Sequence, residues 1–210
     1  DYRSDSDLTR VNAAAGSGPV RIPESLASVL DRAAALARET GGAFDPTVGP
    51  LVDQWRRTRE TGRLSDPEPR AAARELVGID GLRVQRAPGR PPTAALARPG
   101  MRLDLGGIGK GVAAAEAVRV LTAEGFPMAL ASIAGDVAAG DPPPGRRGWR
   151  VVAGRDGETA PARLEIARAA VSTSGDSAQF VEIGGVRYAH IVDPATGLGA
   201  TVARAVTVLA

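Results

Sequence analysis

Met101-Arg-Leu-Asp-Leu-Gly-Gly-Ile-Gly-Lys-Gly-Val112 passes from an apolar, strand-like approach through a glycine-dense turn into a helical pattern. Val112, Ala115, Val118 and Leu121 recur on one predicted helical face, while Glu116 and Arg119 point away from it. The turn Asp104 to Gly111 therefore lies where a strand gives way to a helix N-terminus. Free backbone amides and the positive end of the helix dipole converge there, and glycines let an anion approach the main chain. Lys110 is the only lysine of the chain, every other basic side chain being one of twenty-five arginines. A compact ammonium among exposed amides suits a phosphate. The same glycines also suit a plain tight turn, and the stretch is neither a Walker A loop, since no Ser or Thr follows Lys110, nor a clean G-x-G-x-x-G. Asp104 beside a phosphate requires a cation or a sugar hydroxyl between the two, which points to a nucleotide with a divalent metal.

At 210 residues with 43% hydrophobic content, the chain is long enough to bury a full core, as one large domain or as two small packed lobes. It has no run near the length of a membrane span and no basic-then-apolar leader in Asp1-Tyr-Arg-Ser-Asp-Ser-Asp-Leu-Thr-Arg10. It opens without methionine and stops inside a strand-like run, Ala203 to Ala210, so the expectation is a single domain trimmed at both ends. The absence of cysteine excludes disulfides, thiolate catalysis and cysteine-held metals. Basic residues pair only at Arg56-Arg57 and Arg146-Arg147, and aromatics make up 3%, too few for base-stacking platforms. Nucleic acid is not an expected partner.

Along the chain, Pro23 to Thr40 reads as an amphipathic helix built on Leu26, Val29, Leu30, Ala33, Leu36 and Ala37, closed by Gly41-Gly42. Gly42 to Leu51 follows as a fixed, extended loop held by Pro46 and Pro50. Short helices are predicted at Leu51 to Arg59 and Ala71 to Val77, and strands at Leu82 to Gln85, Thr93 to Leu96 and Met101 to Leu105, with Ala87 to Pro92 as a turn. The second half reads as strands at Met128 to Ile133, Trp149 to Val152 and Leu164 to Ile166. A type I′ hairpin then joins Ala178 to Ile183 to Val186 to Val192 through Gly184-Gly185. Asp141 to Gly145 is a surface loop, and Asp193 to Gly197 a tight turn.

Three places carry residues suited to chemistry beside the glycine turn. His190, the only histidine, falls on the hairpin strand with Tyr188 on the same face, either as a structural residue or as a proton acceptor. Asp45 in Phe44-Asp-Pro-Thr47 is either a simple Asx-type turn or a ligand group. Phe44 fits a core or a site equally. Ser172-Thr-Ser-Gly-Asp176 offers hydroxyls and a carboxylate on a turn, with helix capping as the modest reading.

Gly42-Ala-Phe-Asp-Pro-Thr-Val-Gly-Pro-Leu-Val-Asp-Gln-Trp55, Leu103 to Gly111, Ser172 to Asp176 and Tyr188-Ala-His-Ile-Val-Asp-Pro-Ala-Thr-Gly197, in this order and spacing, resemble the ApbE family of FAD:protein FMN transferases. Asp5-Ser-Asp-Leu-Thr-Arg-Val-Asn12 is similar to an early segment of that family. The resemblance implies an α+β fold of two lobes, helices on mainly antiparallel sheets, with FAD in a cleft between them and Mg²⁺ on its pyrophosphate. It implies transfer of FMN to a Thr or Ser hydroxyl of a target protein carrying a D-x-x-[ST]-G-A-T-like motif, with release of AMP. It further implies that Ala43, Phe44 and Asp45 line the flavin nucleotide, that Asp104 and Lys110 contact FAD, and that Gly107 offers its carbonyl to the metal. His190 and Ile191 would lie against the cofactor, with His190 as the candidate proton acceptor, and the location would be the cell envelope outside the cytoplasm.

The chain also departs from the family pattern. Gly109 stands for an alanine, Val112 for a tyrosine, and Ser132-Ile-Ala-Gly-Asp136 for N-A-G-G-D. The family's metal-binding D-A-x-x-T segment falls beyond Ala210. Two further readings are a non-catalytic flavin-binding module and an FAD pyrophosphatase that yields FMN and AMP.

Overall fold

The computed structural model describes residues 3–154, 162–175, 180–202 and 205–210. It is a mixed α+β structure whose chain divides into two compact units, Asp1–Gly107 with Val181–Thr201, and Ile108–Phe180 with Val202–Ala210.

Among the described residues the first unit holds four α-helices, α1 (Asp7–Ala13), α2 (Glu24–Glu39), α3 (Gly49–Thr61) and α4 (Pro67–Glu75). Its three-stranded antiparallel sheet runs in the order β1 (Val20–Arg21), β3 (Arg90–Leu96), β2 (Leu82–Ala87). Leu8, Val11, Ile22, Ala27, Leu30, Leu82, Ala94, Leu96, Met101 and Leu103 form its core. Helix α2 occupies the predicted span and buries Ala27, Leu30, Ala33 and Ala37, an i, i+3, i+6, i+10 stripe. It ends in a Schellman-type turn, Gly42 N–H donating to the Ala37 carbonyl at 2.8 Å, with Gly41 at φ +60° where a side chain would be strained. Gly49 and Pro50 open α3 rather than lie outside it, because proline costs nothing in the first helical turn. Pro91 and Pro92 sit inside β3, not in a turn, and the register against β2 shifts between Gln85 and Ala87 nearby.

The predicted strand Met101 to Leu105 is instead an extended segment with a single parallel bridge, Arg102 to Val48. Its main-chain groups are taken by other partners. The Asn12 amide donates to the Leu103 carbonyl at 3.0 Å, and its oxygen accepts from Leu103 N–H at 2.8 Å. Gly49 N–H donates to the Arg102 carbonyl, and Asp104 N–H to that of Pro46 at 2.8 Å.

The second unit has helix α5 (Gly109–Ala123) on a four-stranded antiparallel sheet in the order β13 (Val206–Leu209), β8 (Ala169–Ser174), β5 (Asp136–Ala139), β4 (Leu130–Ile133). The hairpin of β6 (Trp149–Ala153) and β7 (Ala162–Ile166) shares its core, where Ala139, Ala153, Ile166 and Val171 are buried. The inward face of α5 differs from the predicted one. Ala114 is its buried residue, while Ala115 and Leu121 are exposed, and Glu116 pairs with Arg119 on the outside as expected. Ser172 to Ser174 are strand residues, which removes the helix-cap reading of that stretch, and Asp176 lies outside the described residues.

Back in the first unit, the hairpin of β9 (Phe180–Ile183) and β10 (Val186–Ala189) turns at Gly184-Gly185, both at positive φ as a type I′ turn demands. Ala178, predicted to begin β9, is outside the described residues. A two-residue ribbon follows, β11 (Val192–Asp193) against β12 (Leu198–Gly199).

Candidate functional site

Asp45 is buried, and one carboxylate oxygen serves two donors of Thr47, the backbone N–H at 2.7 Å and the hydroxyl at 2.6 Å. The Thr47 hydroxyl in turn accepts from Gly78 N–H at 2.8 Å. This geometry is an Asx-type turn, and through it Asp45 shapes the loop that carries Phe44. Thr40, which ends α2, accepts from Phe44 N–H through its hydroxyl at 3.2 Å. The Phe44 ring is thereby set against the glycine turn: a Cβ at Gly107 would lie 3.2 Å from it. Ala43, next to it, is exposed. The loop and the turn, separated by about sixty residues of chain, are one local structure.

At the start of that turn Asp104 is held on every side. Its N–H reaches the loop at Pro46, its Oδ1 accepts from Gly106 N–H at 2.8 Å, and its Oδ2 lies 3.3 Å from Arg56 of α3. The Asp104 side chain is 14% exposed, so the carboxylate is neutralised by a guanidinium before any ligand arrives. Asn12 fixes the preceding residue from α1.

Helix α3 governs a second element. Leu51, Trp55 and Thr58, at i, i+4 and i+7, are buried. The Trp55 indole N–H donates to the Ala189 carbonyl at 3.2 Å, and its ring meets Tyr188 at a centroid distance of 5.7 Å. With that carbonyl occupied, Ala189 N–H still donates to Ala200, but Ala200 N–H turns to the Ile191 carbonyl. The strand bulges at His190-Ile191, and both side chains emerge exposed. The predicted alternation fails here: Tyr188 is buried and His190 is not on its face. Gly199 permits the arrangement, since a Cβ there would lie 2.2 Å from the Ala189 carbonyl oxygen and 2.5 Å from the indole. Asp193 closes the next turn, accepting from Ala195 N–H at 2.8 Å and from the Thr196 hydroxyl at 3.2 Å.

In the second unit Lys110 is the second residue of α5 and is exposed. Asp136 of β5 is buried, accepts from the Ser172 hydroxyl at 2.7 Å, and sends its other oxygen toward the first turn of α5, 3.8 Å from where a Gly111 Cβ would stand. A carboxylate at that helix end stabilises it through the dipole.

Arrangements among several of these residues are not legible from sequence. Arg56 was visible only as half of an arginine pair, and its spacing from Trp55 and Asp53 on α3 was the signal available. Asn12 closed a block of the resemblance without a role. Asp136 and Ser172 needed the strand pairing of β5 and β8 to come together.

As to a metal, no group of three His, Asp or Glu side chains stands close enough to hold one among the described residues. A backbone carbonyl such as that of Gly107 is a hard oxygen donor, the kind Mg²⁺ takes along with phosphate oxygens and water. The described residues therefore supply main-chain oxygen but no cluster of side-chain ligands for such an ion.

The ApbE family profile matches residues 1–210. This chain belongs to the ApbE family. Among its curated relatives are the FAD:protein FMN transferases of Treponema pallidum, 38% identical over 94% of this chain, and of Klebsiella pneumoniae, 31% identical over 93%. The chain spans 58% and 57% of the length of those two proteins. Among solved structures, the ApbE protein of Thermotoga maritima superposes with a TM-score of 0.83 at 29% identity, covering 98% of this chain and 66% of that one. The apo form of the flavinyl transferase ApbE from Pseudomonas stutzeri gives 0.82 at 31% identity, covering 100% and 65%. The ApbE-like α+β fold expected from the sequence blocks is thus the fold observed. No helix of the described residues is long and apolar enough to cross a membrane.

Proposed function

We propose that this protein transfers FMN from FAD to a Thr or Ser hydroxyl of a target protein, with AMP as the leaving group. The observation that carries the reading is the packing of Phe44 against Gly107, which joins the two ApbE sequence blocks expected to meet FAD. The names of the curated relatives, FAD:protein FMN transferase, support the transfer of FMN from FAD to a protein.

Phe44, with Ala43 beside it, offers an apolar edge for the flavin nucleotide. Lys110 and the amides at the start of α5 meet the diphosphate, whose negative charge rises on the departing AMP. The Gly107 carbonyl would help to hold a Mg²⁺ ion, which would supply charge neutralisation at the diphosphate. The acceptor hydroxyl oxygen forms a bond to the phosphorus of the FMN half, and the bond from that phosphorus to the AMP phosphate oxygen breaks, leaving its electron pair on AMP. His190, displayed on its bulge, takes the hydroxyl proton. Ile191 beside it gives the cofactor an apolar contact. The family resemblance supports an acceptor met outside the cytoplasm, at the cell envelope.

Incubating the protein with FAD, Mg²⁺ and a peptide bearing D-x-x-[ST]-G-A-T is expected to add the mass of FMN to the peptide and to release AMP. AMP without peptide modification would identify a pyrophosphatase. Chelator-insensitive FAD binding with no AMP would identify a binding module, and no change in flavin fluorescence on titration would overturn the flavin reading altogether.

A further inference from the structure

Helix α3 and the segment before the glycine turn share an alternating chain of charges. Arg102 Nε lies 3.3 Å from Asp53 Oδ2, Arg56 Nη1 lies 3.8 Å from Asp53 Oδ1, and Arg56 Nη2 lies 3.3 Å from Asp104 Oδ2. The match is geometric. Residues three apart on a helix stand about 5–6 Å from one another, and residues two apart on an extended segment about 6.6 Å.

Stability does not explain this network. Arg56 is 35% exposed, Asp53 38% and Arg102 40%, and exposed ion pairs contribute little to folding. Helix α3 is already anchored by Leu51, Trp55 and Thr58. What the network does accomplish is local to Asp104, the least exposed member at 14%, whose other oxygen is already held by Gly106 N–H. Without Arg56, an uncompensated carboxylate would stand at the mouth of an anion-binding turn. At a dielectric between protein surface and water, each such like-charge pair at several ångströms costs a ligand on the order of tenfold in affinity.

We propose that Arg56 is a positioning residue and specificity determinant for diphosphate-bearing ligands: it neutralises Asp104 and pins it against Gly106, so that the turn accepts an anion. The proposal rests on the flavin-transfer reading and deepens it by naming the residue that lets an acidic turn tolerate a dinucleotide.

The test is flavin-fluorescence titration of the unaltered protein, Arg56→Ala, Arg56→Lys, Asp104→Asn and the Arg56→Ala/Asp104→Asn double variant, each with FAD and with riboflavin, and with thermal melting in parallel. Arg56→Ala is expected to raise the Kd for FAD about tenfold and that for riboflavin less than about twofold. Arg56→Lys should recover most of the loss, because it restores the charge while losing the planar fork. In the Asp104→Asn background, removing Arg56 should cost FAD less than about twofold, since no carboxylate is left to neutralise. Equal losses for FAD and riboflavin, an unchanged Kd for FAD, or the same tenfold loss in the Asp104→Asn background would each overturn the proposal. Should Arg56→Ala melt poorly, Arg56→Gln carries the same expectations. If the unaltered protein binds riboflavin and FAD equally, the diphosphate reading itself fails and the role of Arg56 falls with it.

Discussion

Asp104 has both carboxylate oxygens engaged and a nearly covered side chain, whereas Lys110, six residues further along the same turn, stands exposed and makes no ion pair among the described residues. The acidic end belongs to a unit where α1, α3 and the Phe44 loop each fix part of the backbone. The cationic end rides on a helix that buries little beyond Ala114. The difference teaches that this turn separates tasks. Its first half is fixed by partners from several elements, while its second half carries an exposed cation.

The largest test of that division falls on the frame. Trp55→Ala should cost about 3–5 kcal/mol in chemical denaturation, by cavity formation and by stripping the Ala189 carbonyl of its donor. If it costs less than Lys110→Ala, the contrast fails. Asp45→Ala should cost about 1–3 kcal/mol by the same measurement, because both Thr47 donors lose their acceptor in a buried loop. At the other end, Lys110→Ala should leave stability within about 0.5 kcal/mol and weaken FAD about tenfold with riboflavin unchanged, a charge-assisted contact of ordinary strength. A matching loss for riboflavin would remove the phosphate role.

A smaller effect probes the second unit. Ala134, in the turn between β4 and β5, has φ +47°, a conformation an L side chain adopts only with strain. Ala134→Gly should raise stability by up to about 1 kcal/mol, and a fall would mean that the turn changes shape. The smallest expected effect lies away from both regions. Arg86 hydrogen-bonds Glu24 and Asp31 on α2, and the bond to Arg86 holds the Glu24 carboxyl below its usual range. A depressed carboxyl stabilises the fold above its unfolded pKa and loses that contribution as pH falls through the folded value. Melting temperature should therefore drop slightly less with acid in Arg86→Ala than in the unaltered protein, a difference that high salt erases.

Much of this architecture could be read from residues alone. Helix α2, the Gly184-Gly185 hairpin and the turn-to-helix order around Lys110 all follow from local periodicity and turn chemistry, which short-range physics enforces. Failures occurred where a distant partner overruled the local pattern. Met101 to Leu105 has strand composition, yet the Asn12 side chain and the Phe44 loop take its hydrogen bonds. His190 keeps alternation on paper, yet an indole from α3 claims the preceding carbonyl and bends the strand. Asp45 was legible as an Asx turn, and its Oδ1 accepts both Thr47 donors as that turn requires. The role of Arg56 depends on which side of a helix meets which side of an extended segment, a matter of tertiary register that no single stretch encodes.

The bulge at position 190 has one more consequence. Because the main chain there is held by the indole and by Ala200, the backbone path at this position is set by residues other than the one that occupies it, much as a socket is fixed before the bulb. A substitution at this position therefore changes the exposed group while the hydrogen bonds of the neighbouring main chain stay in place.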